Sequence, residues 1–193
     1  MQLKNLVLKN RSIRRFDQTA EFPRSDLIEL VKLARLSPSG ANKQALKFVL
    51  STESAMNRSI FPCLKWAGYL TDWGGPAEGE RPSAYVIILL DTEISDHAGC
   101  DHGIAAQTML LGAVEKGWAG CMIGSIDRTA LARVLGLTAR YEIMLVIALG
   151  KPAEKVVVED VGMDGDICYW RDEKGIHHVP KRPLKELILQ GME

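Results

Sequence analysis

The chain has 193 residues, which is enough for one domain with a sizeable hydrophobic core. Hydrophobic residues make up 47% of it and charged residues 25%, and its 24 basic and 24 acidic side chains cancel. A nucleic-acid-binding protein usually carries an excess of positive charge, and no apolar run approaches the roughly 20 residues of a membrane span. Composition therefore argues against both classes.

The hydrophobic pattern predicts helices and strands without a regular β–α–β alternation, which favours the α+β class. Helical spacing predicts a short helix around Leu3–Val7 and a second one from Ser25, its expected N-cap, to the SPSG sequence at 37–40. The other predicted elements, in chain order, are a strand at 46–51, a strand at 84–91, a helix at 100–117, a helix at 128–136, a strand at 141–150, a hairpin at 168–179 that turns at DEKG, and a helix at 183–189.

Two of these elements are apolar throughout. Residues 84–91, AYVIILLD, form a continuous apolar run typical of a strand that is buried on both faces. The helix at 100–117 is apolar nearly all round, which indicates a place in the core or in a subunit interface.

Residues 61–83 combine prolines, glycines and three large aromatic residues. We expect an ordered, lid-like segment, because Trp66, Tyr69 and Trp73 each need something to cover. These aromatic side chains either form the wall of a substrate pocket or seal the core, and the sequence leaves both roles open.

Residues 11–16, RSIRRF, place three arginines within five positions. Arg11, Ser12 and Arg14 supply the guanidinium forks and the hydroxyl group that a phosphate dianion needs. The alternative is a surface cluster that stabilises the C-terminal end of the preceding helix.

Two further stretches are weak signals for a ligand. The polar loop SPSGANKQ at 37–44 suits the edge of a flat heterocycle, but it is also an ordinary helix end and turn. The glycines of GCMIGS at 120–125 allow a close backbone approach to a ligand, or simply form a turn. Neither a Rossmann nor a P-loop fingerprint is present.

No metal site or catalytic thiol is expected. His177 and His178 are adjacent in a predicted strand and point to opposite faces, so we expect at least one at the surface and no two-histidine site. Cys100 and His102 are two positions apart on a predicted helix and cannot pair. The scattered cysteines show no CxxC pair, and the N-terminus has lysines within its apolar stretch, so we expect a protein of the reducing cytoplasm without a signal peptide.

Taken in order, RSIRRF, SPSGANKQ, DHGIAAQTMLLGAVEKG with GCMIGS, and a terminal PKRP resemble the FMN-dependent nitroreductase family over residues 8–50, 84–152 and 177–190. The resemblance implies one nitroreductase-like domain over residues 1–193, with the lid-like segment at about 61–83 and a mostly antiparallel sheet flanked by helices. It also implies an intertwined homodimer with two FMN sites at the interface, without nucleic-acid or membrane partners.

The same resemblance implies which residues bind FMN. They are the phosphate and ribityl contacts Arg11, Ser12 and Arg14, the loop of the other subunit with Pro38, Ser39, Gly40 and Asn42, the stretch Met122, Ile123 and Gly124 beside the reactive flavin N5, and the C-terminal phosphate contacts Lys181 and Arg182. Asn10 replaces a basic residue that relatives often carry. The family's Gln-Pro-Trp is Gln44-Ala45-Leu46 here, which leaves the rigidity of the loop open.

The implied activity is that of an oxidoreductase using NADH or NADPH. By a ping-pong mechanism, hydride would pass through flavin N5 to an electron-poor acceptor such as a nitroaromatic or a quinone, without a side-chain acid or base. Two alternatives remain. One is a sibling flavoenzyme that uses oxygen, a dehalogenation or a dehydrogenation, and the other is a flavin-binding or sensory protein without turnover.

Overall fold

The computed structural model of this chain describes residues 2–188. Its backbone contacts divide the chain into two compact units. The first runs to Trp66 and continues over Gly75–Ala153, and the second combines Ala67–Gly74 with the chain from Glu154 onward. Each unit has a β-sheet of its own.

The first unit contains five helices and five strands within residues 2–153. In chain order they are α1 (Leu3–Lys9), β1 (Phe16–Asp17), α2 (Arg24–Arg35), β2 (Leu46–Ser51), α3 (Ser54–Ile60), β3 (Ala84–Asp91), α4 (Asp101–Glu115), β4 (Ala119–Ile123), α5 (Arg128–Leu135) and β5 (Tyr141–Pro152). Short 3-10 helices occupy Gly40–Asn42 and Phe61–Cys63.

Strand β5 forms the centre of the sheet in this unit. It pairs antiparallel with β4 and with β3, and β3 pairs antiparallel with β2, so the order is β4-β5-β3-β2. The short β1 lies beside the end of β5, with Phe16 opposite Pro152. All eight residues of β3 are buried, as its apolar run predicts. The mostly antiparallel sheet predicted from the sequence is confirmed.

Helices α2 and α4 pack against each other on one face of this sheet. Leu27 of α2 and Met109 of α4 share a core with residues of β3 and β5, and burying a side chain of this size stabilises the fold by roughly 1.5–3 kcal/mol. A Cβ added at Gly112 of α4 would lie 2.5 Å from Leu33 Cδ1. The missing side chain at Gly112 therefore allows the two helices to approach closely.

The opposite face of the sheet is also buried. Alternate residues of a strand point to opposite faces, so Tyr85 and Ile87 of β3 point away from α2 and α4, and both are buried. Tyr85 shares the wall of a cavity with Asn57 of α3. Helices α3 and α5 contact each other, and their residues Ile60 and Leu131 are fully buried. Helices thus flank the sheet, as predicted.

A buried carboxylate connects the end of β3 to the start of β5. Asp91 is fully buried, and Arg140 donates hydrogen bonds from Nε and Nη2 to its two oxygens at 2.8 and 2.7 Å. These bonds hold the pKa of Asp91 below its ordinary value. The ionised pair therefore fixes the alignment of the two central strands at this end of the sheet.

Several predicted boundaries are corrected by the structure. Helix α2 begins at Arg24 with Pro23 in the N-cap position, so Ser25 lies within the first turn and is not the N-cap. The glycine-rich stretch at 120–125 is not a turn, because Ala119–Ile123 pair with β5 as a strand. Strand β1 and helix α3 are additional elements that the sequence pattern does not predict.

The second unit contains a small three-stranded sheet and one helix within its described residues. These elements are β6 (Val156–Asp160), β7 (Trp170–Arg171), β8 (His177–Lys181) and α6 (Leu184–Leu187). Strand β8 lies in the middle, parallel to β6 and antiparallel to β7, so the hairpin predicted at 168–179 is confirmed and β6 is additional. The predicted helix at 183–189 corresponds to α6, and Leu189 lies outside the described residues.

His178 on β8 lies between two carboxylates. Its Nδ1 is 2.9 Å from Glu159 Oε2 and its Nε2 is 3.5 Å from Asp172 Oδ2, while the Trp170 ring stacks on the imidazole at 4.1 Å. The hydrogen bond with Glu159 and, after it, the nearby Asp172 carboxylate raise the pKa of His178. His177 is buried and His178 is largely buried, so the expected surface position of one of them is wrong.

Within residues 2–188, no helix has the length and apolar character needed to cross a membrane. Over the same range, no group of His, Cys, Asp and Glu side chains is arranged to hold a metal ion. Cys63 and Cys121 are buried free thiols, and Cys100 and Cys168 are exposed free thiols.

The close packing at Gly120 of β4 predicts a loss of stability on substitution. An added Cβ would lie 2.3 Å from the Ala148 backbone oxygen and 2.8 Å from Leu149 Cδ2. We expect Gly120→Ala to lower the free energy of unfolding by about 1–3 kcal/mol in urea denaturation, because a backbone oxygen cannot move aside cheaply. Gly124→Ala is the control, since the space there is open, and its effect should stay within about 0.5 kcal/mol. Equal losses would contradict this account.

The raised pKa of His178 predicts a pH-dependent contribution to stability. Because the protonated ring is favoured in the folded state, the contribution is complete below about pH 6.5 and is lost as the pH rises through the higher folded-state pKa. The thermal midpoints of wild type and His178→Gln should therefore converge at alkaline pH. His97→Gln is the control, because its side chain is 72% exposed and solvent screens its pairing. A pH-independent difference between wild type and His178→Gln would contradict the assignment.

Candidate functional site

The RSIRRF segment follows α1 and is held against β4. Ser12 forms an isolated parallel bridge with Gly120, in which Ile13 N donates to the Gly120 carbonyl at 3.1 Å. The Ile13 side chain is buried, whereas Ser12 is exposed. The structure therefore brings together two stretches that the sequence singles out, RSIRRF and GCMIGS, with Ser12 at the surface.

Arg11 is half-buried directly after the last turn of α1. Its Nε donates to the Asn10 carbonyl at 2.6 Å and its Nη2 to the Val7 carbonyl at 2.9 Å. These bonds satisfy carbonyl groups at the helix C-terminus, which is the alternative role considered for the cluster. A guanidinium carries five N–H donors, so the two bonds leave donors for an anion as well.

The other two arginines have different partners. Arg14 is half-buried, and its Nη1 donates to the Ser12 carbonyl at 3.4 Å. Arg15 forms a bidentate ion pair with Glu80, with Nε donating to Oε2 at 2.8 Å and Nη2 donating to Oε1. The charge of Arg15 is thus matched by a carboxylate of the first unit. Arg15 therefore has a structural role, while Arg11 and Arg14 stay the predicted phosphate contacts.

The stretch Met122, Ile123 and Gly124 lies at the end of β4. Met122 is half-buried against the core under α2 and α4, and Ile123 is buried. Gly124 is exposed, with no atom within 4 Å of the position that a Cβ would take. Within residues 2–153, β4 has β5 along one edge and the Ser12 bridge along the other. No side chain at position 124 obstructs the approach of a flat ring to this backbone.

The SPSGANKQ loop after α2 is fixed by Asp101 in the first turn of α4. Asp101 accepts hydrogen bonds from Ser39 Oγ at 2.7 Å and from Gly40 N at 2.9 Å, and Ser39 Oγ accepts one from Gln44 N at 3.0 Å. Three non-glycine residues of the loop have φ between 48° and 53°. Such strain persists only where surrounding contacts hold it. The bonds to Asp101 therefore keep the loop rigid, although the family's Gln-Pro-Trp is replaced here.

A cavity of about 260 Å³ lies beside this loop, between α2, β2 and α4. Pro38 and Ser39 form part of its wall, together with apolar residues such as Val31 and Phe48. The hydrogen bonds of the loop lead to α4, whereas those of RSIRRF lead to α1, β4, Glu80 and Ala153. The two predicted stretches are therefore anchored to different elements of the first unit.

The three aromatic residues of the lid-like segment differ in environment. Trp66 belongs to the first unit, is buried, and packs 5.7 Å from the Phe61 ring, which agrees with the core-sealing role. Tyr69 and Trp73 belong to the second unit. Tyr69 is 54% exposed against Tyr169, and Trp73 lies under the Arg171 guanidinium at 4.4 Å. The segment 61–83 is thus shared between the two units.

The C-terminal basic pair also lies in the second unit. Lys181 is the last residue of β8 and is exposed, and its carbonyl accepts a hydrogen bond from Val161 N at 2.9 Å. Arg182 is exposed and its Nη1 lies 3.3 Å from Glu186 Oε2. Both ammonium and guanidinium groups are thus presented at the surface of this unit.

Two carboxylates that organise the site are not predicted by the sequence. Glu80 is 65 positions from Arg15, and Asp101 is 62 positions from Ser39. Pairs at such separations leave no spacing signal in a single sequence, although Asp101 itself is the first residue of the DHGIAAQTMLLGAVEKG stretch. The ordering of both candidate ligand stretches therefore depends on tertiary contacts.

Known proteins of one family are similar to this chain. The sequence model of the Nitroreductase family matches residues 7–67 and 82–151. Over 188 residues the chain is 23% identical to a relative in Bacillus subtilis (strain 168) that bears the name NAD(P)H nitroreductase MhqN, covering 76% of this chain and 87% of that protein.

Solved structures show the same fold. The chain is similar to an FMN-dependent nitroreductase from Clostridium difficile R20291, with a TM-score of 0.67 and 22% identity over 79% of this chain and 89% of the other. It is also similar to a nitroreductase family protein from Streptococcus pneumoniae TIGR4, with a TM-score of 0.72 and 16% identity over 98% and 100% of the two chains. Since the family match spans more than half of the sequence, this chain belongs to the nitroreductase family.

Proposed function

We propose that the chain is an FMN-dependent NAD(P)H oxidoreductase that works by a ping-pong mechanism. NADH or NADPH reduces the bound cofactor and leaves, and an electron-poor acceptor such as a nitroaromatic or a quinone then enters the same cleft. The observation that carries this proposal is the bridge between Ser12 and Gly120, which joins the arginine segment to β4 in a nitroreductase fold.

The residues of the first unit fit the phosphate end of FMN. A phosphate dianion is held best by charge-assisted hydrogen bonds, and Arg11 and Arg14 lie three positions apart on one ordered segment. The Arg11 bonds to helix carbonyls fix its guanidinium and still leave N–H donors. The exposed Ser12 hydroxyl between them adds a donor for the phosphate or the ribityl chain.

The end of β4 fits the ring of the cofactor. FMN, when bound, accepts and donates hydride at its N5. The backbone of Met122, Ile123 and Gly124 offers N–H and carbonyl groups along one strand edge, and Gly124 offers no steric obstacle. The side chains of Met122, which is half-buried, and Ile123, which is buried, exclude water from the two faces of the strand beside this edge. No side-chain acid or base is required of this chain.

We propose that the protein acts as a homodimer in which Pro38, Ser39, Gly40 and Asn42 reach the cofactor bound by the other copy. The fixed loop geometry around Asp101 supports this role, because a loop that is already ordered loses less conformational entropy on making a contact across subunits. Helix α1 supports it too: none of its residues is buried, although Leu3, Val7 and Leu8 are apolar and 44–68% exposed.

The second unit extends the proposal to the rest of the chain. We assign both units to one FMN-binding domain, with Lys181 and Arg182 as further phosphate contacts and Tyr69 and Trp73 as candidates for the acceptor pocket. The burial of Trp66 favours a role in the core over the pocket. Four free thiols are typical of a reducing compartment, which favours the cytoplasm as the place of action.

Anaerobic titration with NADH and with NADPH tests this function. The purified protein, supplied with FMN and then freed of unbound flavin, should be yellow and should bleach with at least one of the two reductants. Addition of a nitroaromatic or a quinone after removal of the nicotinamide should restore the colour, because a ping-pong enzyme completes its two half-reactions separately.

Each other outcome has a defined meaning. A yellow protein that neither reductant bleaches would contradict the oxidoreductase proposal and favour a flavin-binding or sensory protein. Bleaching followed by colour recovery with oxygen, but with neither a nitroaromatic nor a quinone, would favour a sibling flavoenzyme with a different acceptor. A colourless protein that does not take up FMN would contradict the proposed site itself.

A further inference from the structure

Residues 78–81 form a second set of contacts with Phe16 and Gln18, where the arginine segment ends. Phe16 N donates to the Glu80 carbonyl at 2.9 Å, and Gln18 N donates to the Gly79 carbonyl at 3.2 Å. The Gln18 side-chain oxygen accepts from Gly79 N at 2.9 Å and from Arg81 N at 3.1 Å. This short ladder holds the two segments side by side within the first unit.

The ion pair between Arg15 and Glu80 closes this ladder at the end next to Arg14. It is bidentate, with Nε donating to Oε2 at 2.8 Å and Nη2 donating to Oε1. The two side chains are 32% and 30% exposed. Forked carboxylate–guanidinium pairs fix direction as well as distance, and partial burial reduces screening by water and salt.

The segment between Ser12 and Phe16 is therefore held at both ends. At one end Ser12 bridges to Gly120, and at the other the Arg15 carbonyl accepts from Ala153 N at 3.0 Å while the Phe16 ring is fully buried. Arg14 lies between these anchors. It directly precedes Arg15, whose carbonyl and side chain are both held.

We infer that Glu80 is a positioning residue for the cofactor site: through Arg15 it holds Arg14 in place to bind the FMN phosphate. The inference rests on the proposed function. Glu80 also neutralises a third guanidinium, which would otherwise compete for the same phosphate from a different position. A purely electrostatic role would have the opposite effect, because removing a negative charge near an anion site strengthens anion binding.

The test is the dissociation constant for FMN, measured by quenching of flavin fluorescence with apoprotein. Glu80→Gln should raise this constant by about tenfold, which corresponds to about 1.4 kcal/mol. Glu78→Gln is the matched control: it removes the same charge two positions away, and Glu78 pairs with Arg81 at 2.7 Å and accepts from Gln18 at 2.9 Å rather than binding Arg15. Its FMN constant should stay within about twofold of wild type.

A double-mutant cycle separates positioning from general destabilisation. In an Arg14→Ala background, Glu80→Gln should change the constant by no more than about twofold, because its effect passes through Arg14. The charge-swapped pair Arg15→Glu with Glu80→Arg should recover most of the affinity that either single change removes. If Glu80→Gln does not fold, Glu80→Asp is used instead, with a smaller loss in the same direction.

Tighter or unchanged FMN binding in Glu80→Gln would overturn the inference, as would a full effect that persists without Arg14. These results leave the proposed function intact, because wild type still binds FMN. Failure of wild type to bind FMN would overturn the proposed function, and the inference with it.

Discussion

The close approach of β4 to β5 at Gly120 determines where the N-terminal arginines meet the sheet. Without a side chain at this position, the strand lies against Ala148 and Leu149, and its carbonyl accepts the amide of Ile13. Ile13 and Phe16 are both buried, so the backbone between them is restricted in its conformation. A rigid sheet thus carries the donors proposed for the cofactor, and such support limits their movement more than a loop alone would.

The charges of the chain cancel in number, so the partner of each cation has to be considered separately. Arg15 is neutralised by Glu80, and Arg140 by the buried Asp91. Arg11 instead donates to neutral carbonyl groups of a helix end. A net charge of zero therefore argues against nucleic-acid binding, yet it is compatible with a local site for one phosphate.

Local signals predicted much of the fold. Strand β3 followed from its apolar run, and α5 from helical spacing that ends at Gly136, whose left-handed φ of 63° closes the helix. The sequence did not predict β4 as a strand, because its glycines suggest a turn until pairing with β5 is known. The rigidity of the SPSGANKQ loop was equally hidden, since it depends on Asp101, which is remote in sequence.

The proposed site rests on the order of its motifs rather than on any one of them. RSIRRF and GCMIGS are each ambiguous alone, and the family resemblance paired them before the structure showed the bridge between Ser12 and Gly120. The sequence did not predict that Arg15, unlike Arg11 and Arg14, pairs with Glu80. No local sequence pattern marks Glu80 as its partner. The aromatic residues of segment 61–83 indicated that it is ordered. Its composition could not show that Trp66 and Tyr69 belong to different units.

The central claim is that Arg11 and Arg14 hold FMN, and the affinity of their alanine variants for FMN tests it most directly. Each substitution removes a charge-assisted contact worth about 1.5–3 kcal/mol, so the dissociation constant should rise by at least about tenfold. Arg133→Ala, which removes an exposed arginine on α5, should leave the constant unchanged. Full flavin occupancy in both Arg11→Ala and Arg14→Ala would contradict the account.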